Sequence, residues 1–223
     1  ESLVNMSAQK AQVMLVDDHA MLRHGMAMLI DAEPDMQVIA EASDSVETLA
    51  FLKKNSDVDI ILVDISLKTI SGLEVIKSIH LLKPELPVLV VSMHDESVYA
   101  ERALHAGARG YVMKQEPGEN LIIAIREVLN GNVFLSKAMQ MKLLNRVASG
   151  NNKPEIAINN LTPSEFEVLH LIGKGHNTQE IAKLLNRSIK TIETHRFNIR
   201  TKLNLKDSAD LIRYATRWVL EEQ

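Results

Sequence analysis

Three aspartates, a serine and a lysine stand where chemistry could be done. Asp17 and Asp18 follow the apolar run Val13–Val16 in "VMLVDD". Asp64 closes "IILVD", Ser92 closes "VLVVS" and Lys114 closes "GYVMK". Adjacent carboxylates repel and hydrate strongly, so a fold that sets them at a strand end must offset a cost. Three carboxylates make a hard-oxygen site suited to Mg²⁺, which prefers octahedral oxygen ligands and keeps several waters. Such a cation would offset the repulsion. A carboxylate beside it can attack a phosphoryl group and form an aspartyl phosphate. Lys114 would neutralise phosphoryl oxygens as charge develops, and Ser92 would donate to another. Each residue alone has a plainer reading, an Asp as a loop or cap residue and a Lys as a solvated group. Five of them at corresponding strand ends point to a site.

The elements that must position them are legible as an alternation. Short apolar runs, "QVMLV", "QVIAEA", "IILVDI", "VLVVSM" and "GYVMK", read as strands buried on both faces. Between and after them, helical patterns cover Ala20–Asp31, Ser45–Lys54, Leu73–Leu82, Val98–Ala106 and Asn120–Leu129. The alternation predicts an α/β fold, a doubly wound five-stranded parallel sheet with helices on both faces. In such folds the site lies beyond the C-terminal strand ends, where the five residues stand.

Composition narrows the class. A chain of 223 residues suits one large or two small domains, and 46% hydrophobic content suffices for real cores. With no cysteine, disulfide frameworks and thiolate metal sites are excluded. No apolar run approaches a membrane span, and no basic segment leads into an apolar core as in a signal peptide. The residues before Met6 read as a cloning scar, with Met6 as the natural start, and the cytoplasm is the default location. Residues 1–160 carry 15 Lys and Arg against 21 Asp and Glu, a net of −6, whereas residues 161–223 carry 10 against 8, a net of +2. Within Arg187–Lys206 six basic residues face Glu193 alone. Two modules with different partners are expected.

The second module is punctuated as short helices. Ser136–Val147 reads as a helix capped by Ser136, and "SGNNKPE" at Ser149–Glu155 reads as a flexible linker. Thr162-Pro163-Ser164-Glu165 is a capping box with Pro at the first helical position. Asn177 or Thr178 caps a short helix, "NRS" turns, and Ser188 caps a longer helix over Ile189–Leu203. Asp207 starts a last one. Short helix, tight turn and longer basic helix is the helix-turn-helix order. Ile192, Ile199 and Leu203 form its buried stripe. Lys190, Thr191, Glu193, Thr194, His195, Arg196, Arg200 and Lys202 lie off that stripe and can reach phosphates or base edges. Glu193, Thr194 and Arg196, nearer the N-terminal half, are expected at base edges, and Arg200 and Lys202 at phosphates. A solvated face of a small helical bundle is the plainer alternative.

The first half resembles the flavodoxin-like receiver domain of two-component response regulators, carried by "DD" at 17–18, "VDISLKTISGLE" at 63–74, "VVSMHDE" at 90–96 and "AGARGYVMK" at 106–114. That resemblance implies Asp64 as phosphoacceptor. Mg²⁺ would be held by Asp17, Asp18, Asp64 and the backbone carbonyl of Ser66. Ser92 and Tyr111 would form a switch pair, and Lys114 would bind the phosphoryl group. Lys68 stands where many receivers have Pro, so the loop after Asp64 is expected to be more mobile; Gln115 follows Lys114 where many receivers also have Pro, although this subgroup often lacks it. His19 and His94 are read as loop residues that shape access to the pocket, since Mg²⁺ prefers oxygen. Residues 161–217 closely resemble the DNA-binding domain of LuxR-type regulators, and the combination resembles the NarL/FixJ family. Phe197 replaces the usual small residue after the His-Arg pair, which either alters packing or adds a thymine-methyl contact. Glu193 either accepts from cytosine N4 or repels phosphate.

The expected organisation is a receiver over residues 11–132, a linker with a helix over 133–160, and a small all-α helix-turn-helix domain over 161–223. The expected function is a phosphorylation-controlled transcription factor. Its implied partners are a sensor histidine kinase, double-stranded DNA, a second copy when phosphorylated and, at promoters, RNA polymerase; no membrane is involved. Two alternatives stay open: a regulator of this architecture that works without phosphorylation, and a phosphotransferase or phosphatase with an aspartyl-phosphate intermediate. Against the latter, Asp64-Ile65-Ser66 lacks the second Asp of haloacid-dehalogenase-type enzymes.

Overall fold

The computed structural model describes residues 9–55, 57–67, 72–149, 158 and 160–221. Lys68 and most of the stretch read as a linker lie outside the described residues. The chain divides into two compact units, Glu1–Asn145 and Arg146–Gln223.

In the first unit five strands alternate with helices: β1 Ala11–Val16, α1 Ala20–Asp31, β2 Met36–Ala42, α2 Ser45–Lys54, β3 Ile60–Val63, α3 Gly72–Leu82, β4 Val88–Ser92, α4 Glu96–Ala106, β5 Gly110–Met113 and α5 Gly118–Leu129. The sheet is parallel throughout, in the order β2-β1-β3-β4-β5. Its central strands are buried on both faces, as their unbroken Val, Ile and Leu runs require. Val13, Leu15, Leu62, Leu89 and Val91 pack with Ala27 and Ile30 of α1 and with Leu121, Ala124 and Ile125 of α5. The alternate residues Met14, Val16, Ile61, Val63 and Val90, equally buried, point to the other face. That burial locks the register, because a one-residue slip would exchange the two faces.

The chain does not leave this unit at residue 132. Phe134 returns to the edge of the sheet, where Tyr111 N donates to its carbonyl and its own N–H donates to Arg109 O, both at 3.0 Å. Leu135 and Met139 are buried. Helix α6, Lys137–Ala148, starts with Ser136 N donating to Glu96 Oε1 at 2.8 Å, and Lys142 Nζ donates to Ser97 O at 3.2 Å. Residues 134–142 are thus tied to β5 by backbone hydrogen bonds and to α4 by side-chain ones, which periodicity does not reveal.

The second unit holds α7 Pro163–Gly173, α8 Thr178–Leu184, α9 Ile189–Lys202 and α10 Ser208–Glu221. The caps explain the boundaries. Thr162 and Glu165 form a reciprocal capping box with Pro163 in the first turn; Asn177 and Glu180 form a second, and Ser188 accepts from Thr191 N. Asn186, at φ 51°, makes the left-handed turn between α8 and α9. Phe166 meets Trp218 edge to face at 5.1 Å between centroids. At Gly173 a Cβ would lie 2.5 Å from Ala215 O, so only glycine lets α7 and α10 approach this closely.

Candidate functional site

Strand register builds the pocket. Val16 of β1 pairs with Val63 of β3, so the next residues, Asp17 and Asp64, emerge side by side. Asp64 N donates to Val16 O at 2.9 Å. Ser92 of β4 is level with Met113 of β5, and Lys114 N donates to Ser92 O at 2.8 Å, which carries Lys114 to the same edge. Four of the five side chains meet there. Lys114 Nζ lies 2.5 Å from Asp17 Oδ2 and 2.9 Å from Asp64 Oδ2. Asp64 is only 2% exposed and Asp17 is fully buried. Burial disfavours the Lys114 ammonium, but its hydrogen bonds to Asp17 and Asp64 outweigh this and hold its pKa above the ordinary lysine value. Ser92, also buried, accepts from His94 N at 3.1 Å.

Asp17, Asp18, His19 and Asp64 each offer an atom within 4.8 Å of the others. The His19 ring is 48% exposed, yet its Nδ1 lies 2.9 Å from Asp18 Oδ1 and 3.2 Å from Asp17 Oδ1. The His19 backbone N–H donates to Asp17 Oδ1 at 2.7 Å and turns the residue inward. His19 therefore borders the acidic cluster itself. His94 is differently placed: its ring stacks on Tyr99 at 4.7 Å, and its carbonyl accepts from Tyr111 OH at 2.8 Å. Burial pushes the Tyr111 phenol well above its ordinary pKa, so it stays a donor.

The residues just after Asp64 fold back onto its side chain. Ser66 N donates to Asp64 Oδ1 at 2.9 Å. The Ser66 Oγ is closed off from solvent and finds no hydrogen-bond partner among the described residues. Gly72 opens α3 against this loop: a Cβ there would lie 2.2 Å from Asp64 O, so any side chain would displace the Asp64 backbone. Gly72 is thus a functional residue that no reactive group advertises; its only sequence signal is a glycine eight residues after the aspartate. Arg23 is a second such residue, donating to Asp17 O at 2.5 Å and Glu41 Oε2 at 2.8 Å. Gln115 ties the loop after β5 to that after β4, donating to Met93 O at 3.1 Å.

On α9, Ile192 and Ile199 are fully buried and Leu203 nearly so. At roughly 100° per residue, the line opposite that stripe is Lys190, Thr194, Phe197 and Thr201, and all four are exposed. Glu193 is exposed beside this line. Arg196 and Arg200, one turn apart on the same flank, are half-buried, so Arg196 does not stand on the outermost line where its place in the sequence suggested base contacts. Burial and the nearby Arg200 charge depress the pKa of Arg196. Arg200 Nε is closed off from solvent with no partner among the described residues. Thr191 is engaged in the cap with Ser188. Burial likewise lowers the pKa of His195, on the opposite flank.

Lys202 is committed within the unit. Its Nζ lies 2.7 Å from Oε2 of Glu165, which is 3% exposed and also accepts from Thr162 N. Burial alone would raise the Glu165 pKa, but Lys202 and the Thr162 amide bring it below the usual value. Lys202→Ala should leave that buried carboxylate short of its cation and cost about 2–4 kcal/mol of second-unit stability. Because the Glu165 pKa is depressed on folding, its contribution is present above the ordinary carboxylate value and fades as pH falls through the folded value. Thermal melts of wild type and Lys202→Ala should therefore differ at neutral pH and converge only well below the ordinary carboxylate range, as pH falls through the folded value. Equal melting temperatures at neutral pH would make Lys202 a surface charge only.

Residues 13–126 match the family described as "Response regulator receiver domain", and residues 159–215 match "Bacterial regulatory proteins, luxR family". The oxygen regulatory protein NreC of Staphylococcus epidermidis is 34% identical over 217 residues, covering 95% of this chain and 99% of the relative. NreC of Staphylococcus aureus is 35% identical over 216 residues, with the same coverage of each chain. Among solved structures, Salmonella RcsB bound to promoter rprA with the phosphomimetic BeF3- matches at TM-score 0.57 and 27% identity, covering 93% of this chain and 99% of that one. A LuxR-family response regulator from Aurantimonas matches at TM-score 0.58 and 31% identity, over 63% of this chain and 99% of its own.

Proposed function

Because this chain belongs to the response regulators that join a receiver domain to a LuxR-type DNA-binding domain, we propose that phosphorylation of Asp64 by a sensor histidine kinase controls its binding to specific double-stranded DNA, and so transcription. The observation that carries this is the convergence of Asp64 with Asp17 and Lys114 at the C-terminal edge of the sheet. In this reading the chain accepts one phosphoryl group and is not a turnover enzyme.

An Asp64 carboxylate oxygen attacks the phosphorus of the kinase phosphohistidine. A P–O bond forms, the P–N bond breaks, and the imidazole leaves with the electron pair. Lys114, which bridges Asp17 and Asp64 at rest, turns to the incoming phosphoryl oxygens. The donor set fits a hard divalent cation: three carboxylates from Asp17, Asp18 and Asp64 lie in reach of one another, and the resemblance to receivers would add the Ser66 carbonyl. When bound, Mg²⁺ would supply positive charge to the phosphoryl oxygens. Ser92 then exchanges the His94 amide for the phosphoryl group, which frees the loop that Tyr111 holds through His94 O. The motion passes to α4, to which α6 is hydrogen-bonded through Glu96 and Ser97. Dimers with two copies of α9 then address paired half-sites, in the cytoplasm and within reach of RNA polymerase. Among the described residues no helix is long and apolar enough to cross a membrane.

The test is to treat the full chain with a small phosphodonor and Mg²⁺ and follow intact mass, oligomer size and binding to a selected DNA site. One added phosphoryl group with tighter DNA binding supports the proposal. Unchanged DNA binding at full phosphorylation would refute the coupling, and sustained turnover of the donor would point to an enzyme.

Metal binding offers a separate check. Asp18→Ala should weaken Mn²⁺ binding, read by paramagnetic resonance, by about tenfold or more. His19→Ala should change it far less, because oxygen donors carry the site. A titration in which His19 dominates would overturn the oxygen-site assignment.

A further inference from the structure

We propose that Phe197 is a specificity-determining residue that reads thymine through its C5-methyl group, an inference that rests on the DNA-binding role of α9. Phe197 is 60% exposed although it lies in the middle of a helix whose opposite face is fully buried. It therefore does not serve the packing of its own unit. Its neighbours on the outward line extend the apolar surface. Thr194 Oγ1 donates to Lys190 O at 3.0 Å, and Thr201 Oγ1 donates to Phe197 O at 3.1 Å. Both hydroxyls are satisfied on the helix itself, so what these threonines offer outward is their methyl groups, one on each side of the ring. On the C-terminal side of Lys190, the residues Thr194, Phe197 and Thr201 present an apolar line, flanked on one side by the exposed Glu193 carboxylate and the half-buried Arg200.

A strip of this chemistry has one match among base edges. In the major groove guanine, adenine and cytosine present hydrogen-bonding atoms, and thymine alone adds a methyl group, which Phe and Thr methyls contact. Having given its proton to the helix, each hydroxyl has none left for the guanine O6 and N7 acceptors. The recognition helix of a helix-turn-helix enters that groove N-terminal half first, which brings Thr194 to the bases with Phe197 just behind it on the same outward line, while Arg196 and Arg200 lie on the flank.

The test removes the methyl from the DNA rather than from the protein. Sites are selected with the phosphodonor-treated full chain, and each thymine in turn is replaced by deoxyuridine. In wild type one thymine per half-site should lose about fourfold in affinity on replacement, the worth of one buried methyl, and roughly tenfold or more when both half-sites are changed. Phe197→Ala should bind thymine and deoxyuridine sites alike, and Phe197→Leu should restore part of the discrimination. If every thymine can be replaced without loss while the selected site is still preferred to scrambled DNA, Phe197 is not the reader and the DNA-binding role stands. If Phe197→Ala instead changes the oligomer size of the DNA-free chain with thymine discrimination intact, the ring belongs to a contact between copies and the proposal is overturned. No preference for any DNA would remove the reading on which it rests.

Discussion

Asp64→Asn protein is expected to gain no stable phosphoryl group from a small phosphodonor and Mg²⁺, under conditions in which wild type gains one. An amide is a far poorer nucleophile than a carboxylate and a weaker ligand for a hard cation. The substitution is nearly isosteric at a side chain that is 1% exposed, so it removes charge with little change in volume. Lys114 keeps Asp17 as its partner at 2.5 Å, so the buried ammonium is not stranded and the fold should survive. A melting curve close to that of wild type would establish this. The measurement is intact mass after incubation, followed by peptide mapping. One phosphoryl group gained by Asp64→Asn at the wild-type rate would place the acceptor elsewhere. Lys114→Ala serves as the contrast: it should still take up phosphate but fail to convert it into tighter DNA binding.

The second large effect is the dependence of DNA binding on salt. Each phosphate neutralised by a cation releases counterions, and the logarithm of affinity falls with the logarithm of salt by about 0.9 per contact. With Lys202 paired to Glu165, Arg196 and Arg200 on the flank are the phosphate contacts this reading expects of each copy. Two copies on paired half-sites would make about four such contacts, so a fourfold rise in salt should weaken binding roughly a hundredfold. Burial, and after it the nearby Arg200 charge, depress the Arg196 pKa, and a phosphate near both groups would offset the second of these. Arg196→Ala should weaken binding about uniformly across sequences and reduce the salt slope by about one per copy. From its flank position the loss should be similar on selected and scrambled DNA. A loss confined to the selected sequence would make Arg196 a base reader after all. Binding without salt dependence would remove DNA from the account of this unit.

Much of this was legible because local chemistry and tertiary structure agree. Helices α1 and α2 begin and end where their patterns do. The Thr162–Glu165 and Asn177–Glu180 boxes are written in four residues each. Helices α4 and α5 start two residues before their apolar periodicity, because first turns are polar; Asp95 accepting from Ser97 N, not an apolar face, defines the start of α4. The acidic pocket was legible because β-strand register carries strand-end residues to one edge. Gly72 was not, since its necessity is a steric fact between segments eight residues apart. The inward turn of His19 depends on one backbone hydrogen bond that composition does not announce. The flank position of Arg196 is implicit in the stripe Ile192–Ile199–Leu203, but membership in a basic cluster does not convey it.

The return of Phe134 to the sheet has a consequence for transplanting this sensor onto other outputs. A chimera joined at residue 132 would delete the segment that pairs with Arg109 and Tyr111 and would leave β5 as a bare edge, open to strand addition from a neighbouring molecule. It would also delete Ser136, the partner of Glu96, and with it the hydrogen bond by which α4 grips the outgoing chain. A junction placed after Ala148 keeps both, so the cassette to transplant is sheet, returning segment and α6 together.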